Sequence, residues 1–144
     1  MQLDELYRRV IMDHYKSPRN RGEFAEGSGA AVVELSNPSC GDRISLQLLI
    51  EDGVVRDVRF KGEGCSISMA SASMMTEAVK GRTLEEAAAL ADRFSGMMRG
   101  EPAEFEEYED LEALGGVSKF PARIKCATLA WNALRKGVGA ERER

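Results

Sequence analysis

Cysteine occurs three times in this 144-residue chain, as Cys40, Cys65 and Cys126, and each copy stands in an unusual setting. Cys40 is enclosed in NPSCGD, Asn37 to Asp42, where Asn, Pro, Gly and Asp are ordinary turn formers but the thiol serves no turn. Cys65 ends GEGC, just ahead of Ser66 and a helical run, so the partial positive charge of a helix N-terminus would favour its thiolate. Cys126 has Lys125 beside it and Arg123 one turn back, two cations with the same effect. Asp42, two residues past Cys40, adds a hard oxygen. Three thiolates and a carboxylate make the four ligands of a tetrahedral zinc site. The residues alone leave a second reading open, in which Cys126 is a core thiol and Asp42 braces its turn. Gaps of 24 and 60 residues separate the cysteines and there is no CxxC pair, so spacing does not choose between the two. The odd cysteine count speaks against a secreted disulfide framework. In a reducing cytosol, thiols are more often buried, metal-bound or catalytic than bridged.

For these residues to meet, the elements between them must fold back on one another. Leu3, Leu6, Val10 and Ile11 recur at helical spacing and predict a helix over residues 3 to about 15. His14, the only histidine, falls near its end and reads as a structural side chain rather than a ligand. Pro18 and Gly22 then punctuate a loop. AVVELS from Ala31 is a short strand, and Ile44, Leu46, Leu48 and Ile50 alternate as a second. Asp52-Gly53 supplies a hairpin turn into VVRDVRFKGEG. In that third strand Val54, Val58 and Phe60 are expected on one face, Val55, Asp57 and Arg59 on the other. Such a meander carries the turns of Cys40 and Cys65 to one end of the sheet, with Gly62 and Gly64 letting the backbone turn tightly before Cys65.

The second half is helical. SISMASASMMTEAVKG ends at Gly81, a C-terminal cap, and Thr83 with Glu86 forms a capping box for a helix ending near Met98. A short helix is expected around EYEDLEAL, closed by Gly115-Gly116. The last helix begins near Ser118 with Pro121 in its first turn and runs to Gly137, its apolar stripe being Ile124, Ala127, Trp131 and Leu134. Met69, Met74, Met75, Met97 and Met98 fill the core. The pattern predicts one α+β domain over 1–144, a three-stranded antiparallel sheet packed on helices.

Hydrophobic content of 43% and charged content of 31% are those of a globular rather than a disordered chain. Net charge is −4, with seven carboxylates in EPAEFEEYEDLE, Glu101 to Glu112, which reads as a solvated face or a docking surface. That acidity excludes nucleic acid as the main partner. No apolar run reaches the length of a membrane span, and no secretory signal opens the chain, so the expected address is cytoplasmic. The terminal ERER is expected to be a solvated tail.

DHYKSPRNRG, NPSCGD, FKGEGCSISMASASMM and RIKCATLAW, in that order and spread over nearly the whole chain, together resemble the IscU/NifU-type iron–sulfur cluster assembly proteins, and among them the SufU branch. The resemblance implies an IscU/SufU-like fold and places Cys40, Asp42, Cys65 and Cys126 on metal- or cluster-binding positions. Two features differ from IscU-type scaffolds: Lys125 stands where they carry a histidine, and a longer stretch separates Cys65 from Cys126, as in SufU-type proteins. A lysine ammonium cannot ligate as imidazole does. Three sulfurs and one carboxylate suit zinc. The implied activity is sulfur relay, a sulfurtransferase-like persulfide carrier rather than a conventional enzyme. In it Cys40 accepts persulfide sulfur from a pyridoxal-phosphate-dependent, SufS-like cysteine desulfurase, and the sulfur passes on to downstream scaffold or acceptor proteins. The family also implies that a partner histidine can take over a ligand position and free Cys40; Arg123 would orient the site or steer the donor. An alternative is a scaffold on which a [2Fe–2S] cluster, held by Cys40, Cys65 and Cys126, is built and handed on. A third is a purely structural zinc module that docks to a partner.

Overall fold

A computed structural model describes the backbone of residues 2–39 and 41–143, with side chains from residue 5 onward; Cys40 therefore lies outside the described residues. The chain runs α1 (Gln2–Lys16), β1 (Ala31–Asn37), β2 (Asp42–Glu51), β3 (Val54–Glu63), α2 (Ser66–Val79), α3 (Leu84–Met98), a 3-10 helix (Glu109–Lys119) and α4 (Pro121–Arg142). The strands form one antiparallel sheet in the order β1-β2-β3. Asp52 and Gly53 both take left-handed φ values, 53° and 73°, the conformation a two-residue hairpin requires. Among the described residues no helix is long and apolar enough to cross a membrane.

One face of the sheet carries Ile44, Leu46, Leu48, Val55, Val58 and Phe60, all buried, against α2 and α4. The alternation of β3 slips once. Leu49 pairs with Asp57 but Ile50 pairs with Val55, so Arg56 is an extra residue on β3. This bulge corrects the expected face assignment: Val55, not Val54, joins Val58 and Phe60 in the core. The other face is crossed by the loop after α1, where the Phe24 amide donates to Gln47 at 2.6 Å and Arg59 stacks on the Phe24 ring.

Small residues let α2 lie at the centre of the molecule. From Ser68 to Val79 only Glu77 escapes burial. Its buried hydroxyls are each given partners, Ser71 donating to the Ala127 carbonyl at 2.6 Å and accepting from Trp131 Nε1 at 3.1 Å. Trp131 in turn stacks on Phe94 of α3, and all five named methionines are buried. The Thr83–Glu86 capping box forms, and Gly81 follows α2 with φ +84°.

Three boundaries differ from the sequence pattern. The 3-10 helix continues through Gly115-Gly116 to Lys119, and α4 starts at Pro121, because proline at the first helical position needs no amide partner. Gly137 does not end α4 either: a β-carbon there would stand 2.5 Å from Leu48 Cδ1, so this glycine lets the helix lie close on the sheet. Helix α4 then runs on through Glu141 and Arg142, which the pattern assigned to a solvated tail.

Candidate metal centre

Three elements converge at the end of the sheet remote from the Asp52-Gly53 turn. Asp42 is the first residue of β2, Cys65 is the N-cap of α2, and Cys126 lies in the second turn of α4. One Asp42 carboxylate oxygen and the Cys65 and Cys126 sulfurs all lie within 4.8 Å of one another. Asp42 and Cys126 are buried and Cys65 is half-buried. Both cysteines are thiols rather than a disulfide. The loop that brings Asp42 in is closed by the Gly41 amide donating to the Asn37 carbonyl at 2.9 Å, with Gly41 at φ +74°. Gly41 thus takes the turn conformation that NPSCGD suggests.

The carboxylate is aimed by the backbone. Asp42 Oδ1 accepts from the Cys65 amide at 3.1 Å, which orients Oδ2. That second oxygen is buried and has no hydrogen-bond partner. An ionised oxygen cut off from water without a partner is expensive, and a cation between it and the two sulfurs would satisfy it. Zinc bonds of about 2.0–2.3 Å require tetrahedral ligand atoms roughly 3.5–3.8 Å apart, so separations within 4.8 Å need a contraction of at most about 1.3 Å. The donor set fits the ion.

Gly64 contributes by having no side chain. A β-carbon there would lie 2.5 Å from Asp42 Oδ1 and 2.4 Å from Ser68 Oγ. Neither Gly62 nor Gly64 takes a positive φ, so their role is close packing, not the tight turning expected of them; at Gly62 the obstacle is the Arg43 carbonyl at 2.3 Å. Burial pushes the Cys65 thiol up, but hydrogen bonds from the Ser68 backbone and hydroxyl, and then from Cys126, outweigh it. The Asp42 charge opposes them, and the pKa still ends below a thiol's ordinary value. Ser68 had no sequence signal beyond standing one turn into the helix that Cys65 caps.

The remaining candidates lie around this centre. Lys125 and Arg123 are exposed on the first turns of α4. Lys125 points no imidazole at the cluster, and the only histidine is engaged elsewhere. His14 is fully buried, with Nδ1 2.7 Å from Ser73 Oγ and Nε2 2.9 Å from Asp110 Oδ2. A carboxylate can only accept, so Nε2–H donates to Asp110, and in the neutral ring Nδ1 then accepts from Ser73 Oγ, which itself accepts from the Arg19 amide. Tyr108 completes this group at 3.2 Å from Nε2, its own pKa raised by burial and by the Asp110 charge. His14 is thus structural, and it ties α1 to α2 and to the acidic segment. That segment is no uniform solvated face: Glu107 pairs with Arg93, Glu101 with Arg99, and Glu112 accepts from the Phe105 amide.

Residues 6–144 match the model of the NifU-like N-terminal domain. This chain belongs to that family. Among NifU-like relatives it is 56% identical to the zinc-dependent sulfurtransferase SufU of Bacillus subtilis, over 96% of this chain and 93% of that one. It is 49% identical to the iron–sulfur cluster assembly scaffold protein IscU of Streptococcus pyogenes, over 95% and 85%. A crystal structure of a SUF-system scaffold protein from Fervidobacterium islandicum superposes with a TM-score of 0.78 at 32% identity, covering 90% of this chain and 93% of that one. The NifU-like N-terminal protein of Brucella abortus does so at 0.88 and 26%, covering 100% and 99%. The fold is therefore IscU/SufU-like, a three-stranded antiparallel sheet with helices.

Proposed function

We propose that this NifU-like chain is a zinc-bound sulfur acceptor for iron–sulfur cluster assembly, loaded by a cysteine desulfurase in the cytoplasm. The observation that carries the reading is Asp42, whose buried Oδ2 has no hydrogen-bond partner and whose carboxylate lies within 4.8 Å of the sulfurs of Cys65 and Cys126. Asp42, Cys65 and Cys126 would hold the ion, with Cys40 as fourth ligand. Bound zinc would keep the thiols deprotonated and fix the loops that carry them.

The chain's own residues account for the rest. The Cys65 amide holds the Asp42 carboxylate in place, and Gly64 leaves it room. Asp42 is the hardest donor of the set. The sulfur step belongs to Cys40: its thiolate attacks the outer sulfur of the desulfurase persulfide, a new S–S bond forms, the donor's S–S bond breaks, and the donor cysteine leaves as thiolate. No net oxidation occurs. Delivery to a scaffold or acceptor protein repeats the same exchange. With Lys125 in place of an imidazole and His14 bound to Ser73 and Asp110, the chain offers sulfur and carboxylate only, which supports relay over scaffolding.

The test is metal content of the purified protein together with desulfurase turnover. About one zinc per chain is expected. Desulfurase turnover should rise when the chain is added, and Cys40→Ala should accept no sulfur. A protein without zinc that forms a stable cluster on anaerobic reconstitution with iron and sulfide would instead be a [2Fe–2S] scaffold. Zinc without any effect on the desulfurase would leave only a structural module.

A further inference from the structure

Among the described residues two buried side-chain polar atoms have no hydrogen-bond partner, Oδ2 of Asp42 and Nδ2 of Asn37. They are neighbours by register. Asn37 ends β1, Asp42 begins β2, and the two stand directly across from each other, so their side chains leave the same face of the sheet. That face is the one covered by α4, which carries Cys126. The oxygens of Asn37 are both engaged. Its carbonyl accepts from the Gly41 amide at 2.9 Å, and its Oδ1 accepts from Ser39 Oγ at 2.8 Å, which fixes the carboxamide with its N–H group buried.

The two atoms do not answer each other. A cation beside Asp42 satisfies the carboxylate but does nothing for an N–H donor, which needs a lone pair. A buried donor left unmade is costly, and solvent does not reach this one. The sulfurs of Cys65 and Cys126 do not supply the acceptor: neither bonds Nδ2, and Cys65 is engaged with Ser68 and Cys126. A metal-bound thiolate keeps lone pairs and negative charge, and it accepts hydrogen bonds from groups outside the metal's own ligands. With Asp42, Cys65 and Cys126 as three ligands, the acceptor still wanting is the fourth.

We infer that Asn37 is a positioning residue of the metal centre: its Nδ2–H donates to the sulfur at the fourth ligand position. Metal and thiolate then satisfy both atoms together, the ion at Asp42 and the sulfur at Asn37. Because Asn37 heads the NPSCGD loop, the bond ties that sulfur to the end of β1. It orients the thiolate for the metal, and by drawing charge from it tempers the nucleophile while zinc is bound. The inference rests on the sulfur-acceptor reading, in which Cys40 supplies the fourth sulfur, and adds the residue that holds it.

The experiment uses the full chain and reads three quantities: zinc affinity by chelator competition, the sulfur-to-metal charge-transfer band of the cobalt-substituted protein, and melting of the zinc-free protein. Asn37→Leu, close in shape but without an N–H, is expected to bind zinc about 10- to 100-fold more weakly. Its band should move to lower energy, since the thiolate loses a hydrogen bond. The zinc-free variant should melt at or above the wild-type temperature, because a buried unmade donor has been removed. A residue that only braced the turn would not lower metal affinity while sparing stability. Ser39→Ala, which takes away the partner of Oδ1 and leaves Nδ2, should match wild type in affinity and band. In a Cys40→Ala background Asn37→Leu should cost no further affinity, its acceptor being gone. If Asn37→Leu does not fold, Asn37→Ala reads the same quantities. Wild-type affinity and band in the Asn37 variant, equal losses in Ser39→Ala, or additive losses with Cys40→Ala would each overturn the inference. The proposed function would then still stand on zinc content and sulfur acceptance by the wild type. A wild type that binds no zinc would refute the proposed function and this inference with it.

Discussion

Gly64→Ala tests the centre without touching a ligand. The added methyl would start 2.5 Å from Asp42 Oδ1, about 0.9 Å inside the 3.4 Å at which ordinary contact begins, and 2.4 Å from Ser68 Oγ. Ser68 sits on a buried turn of α2 and Asp42 is wholly buried, so neither has free space to enter. Moving the carboxylate by that amount stretches the 3.1 Å bond from the Cys65 amide to roughly 4 Å, beyond hydrogen-bonding range. Loss of such an outer contact typically costs 10- to 100-fold in metal affinity, about 1.4–2.7 kcal/mol. Zinc affinity would be read by competition against a chromophoric chelator, with melting of the zinc-free protein as the folding control. Gly139→Ala, where a β-carbon meets nothing within 4 Å, should bind zinc as wild type does. A Gly64→Ala protein that folds normally and binds zinc within twofold of wild type would refute the claim that Asp42 Oδ2 is positioned for a metal.

Two further predictions concern the scaffold around the centre. His14→Ala removes a buried ring that bridges Ser73, Asp110 and Tyr108, and should destabilise the protein by about 2–4 kcal/mol in urea unfolding; a change below 0.5 kcal/mol would show that the bridge contributes nothing. Glu107 has its pKa lowered, first by the hydrogen bond from Arg93, so the folded state releases that proton more readily than the unfolded chain. Its contribution is present above the ordinary glutamate pKa and is lost as pH falls through the lower folded value. Glu107→Gln should accordingly be less stable than wild type at pH 7 and converge with it in acid, as measured by thermal melts across that range.

The sequence made much of this legible where a local rule decides structure. Thr83 with Glu86, Asp52-Gly53 and Pro121 each act through neighbours within a few residues, and each appears where its chemistry points. The cluster was legible for a different reason: Asp42, Cys65 and Cys126, which the fold brings together, stand in motifs that carried a resemblance, while Cys40 lies outside the described residues. What stayed hidden depends on distant partners. Nothing near His14 announces Ser73 and Asp110, 59 and 96 residues away. Gly62, Gly64 and Gly137 look like turn or end signals, yet their absent side chains answer to Arg43, Asp42 and Leu48 across the fold. The 3-10 helix persists through Gly115-Gly116 because Leu111, Leu114 and Val117 are buried on either side, and packing overrides propensity there.

The extra residue at Arg56 has its effect at the far end of β3, about 23 Å from where it sits. Counted back from the hairpin turn without it, Asp42 would stand across from Glu63. With it, Arg43 takes Glu63 as partner, and the next residue facing Asp42 is Gly64, followed by the Cys65 amide that holds the carboxylate. The hairpin behaves as a ruler whose zero has been moved by one mark. Because side chains alternate, the same step that aligns Asp42 with Gly64 also turns Val58 and Phe60 inward. Metal-site alignment and core formation therefore share one frame: the ligands cannot drift by a single residue unless the core comes apart with them.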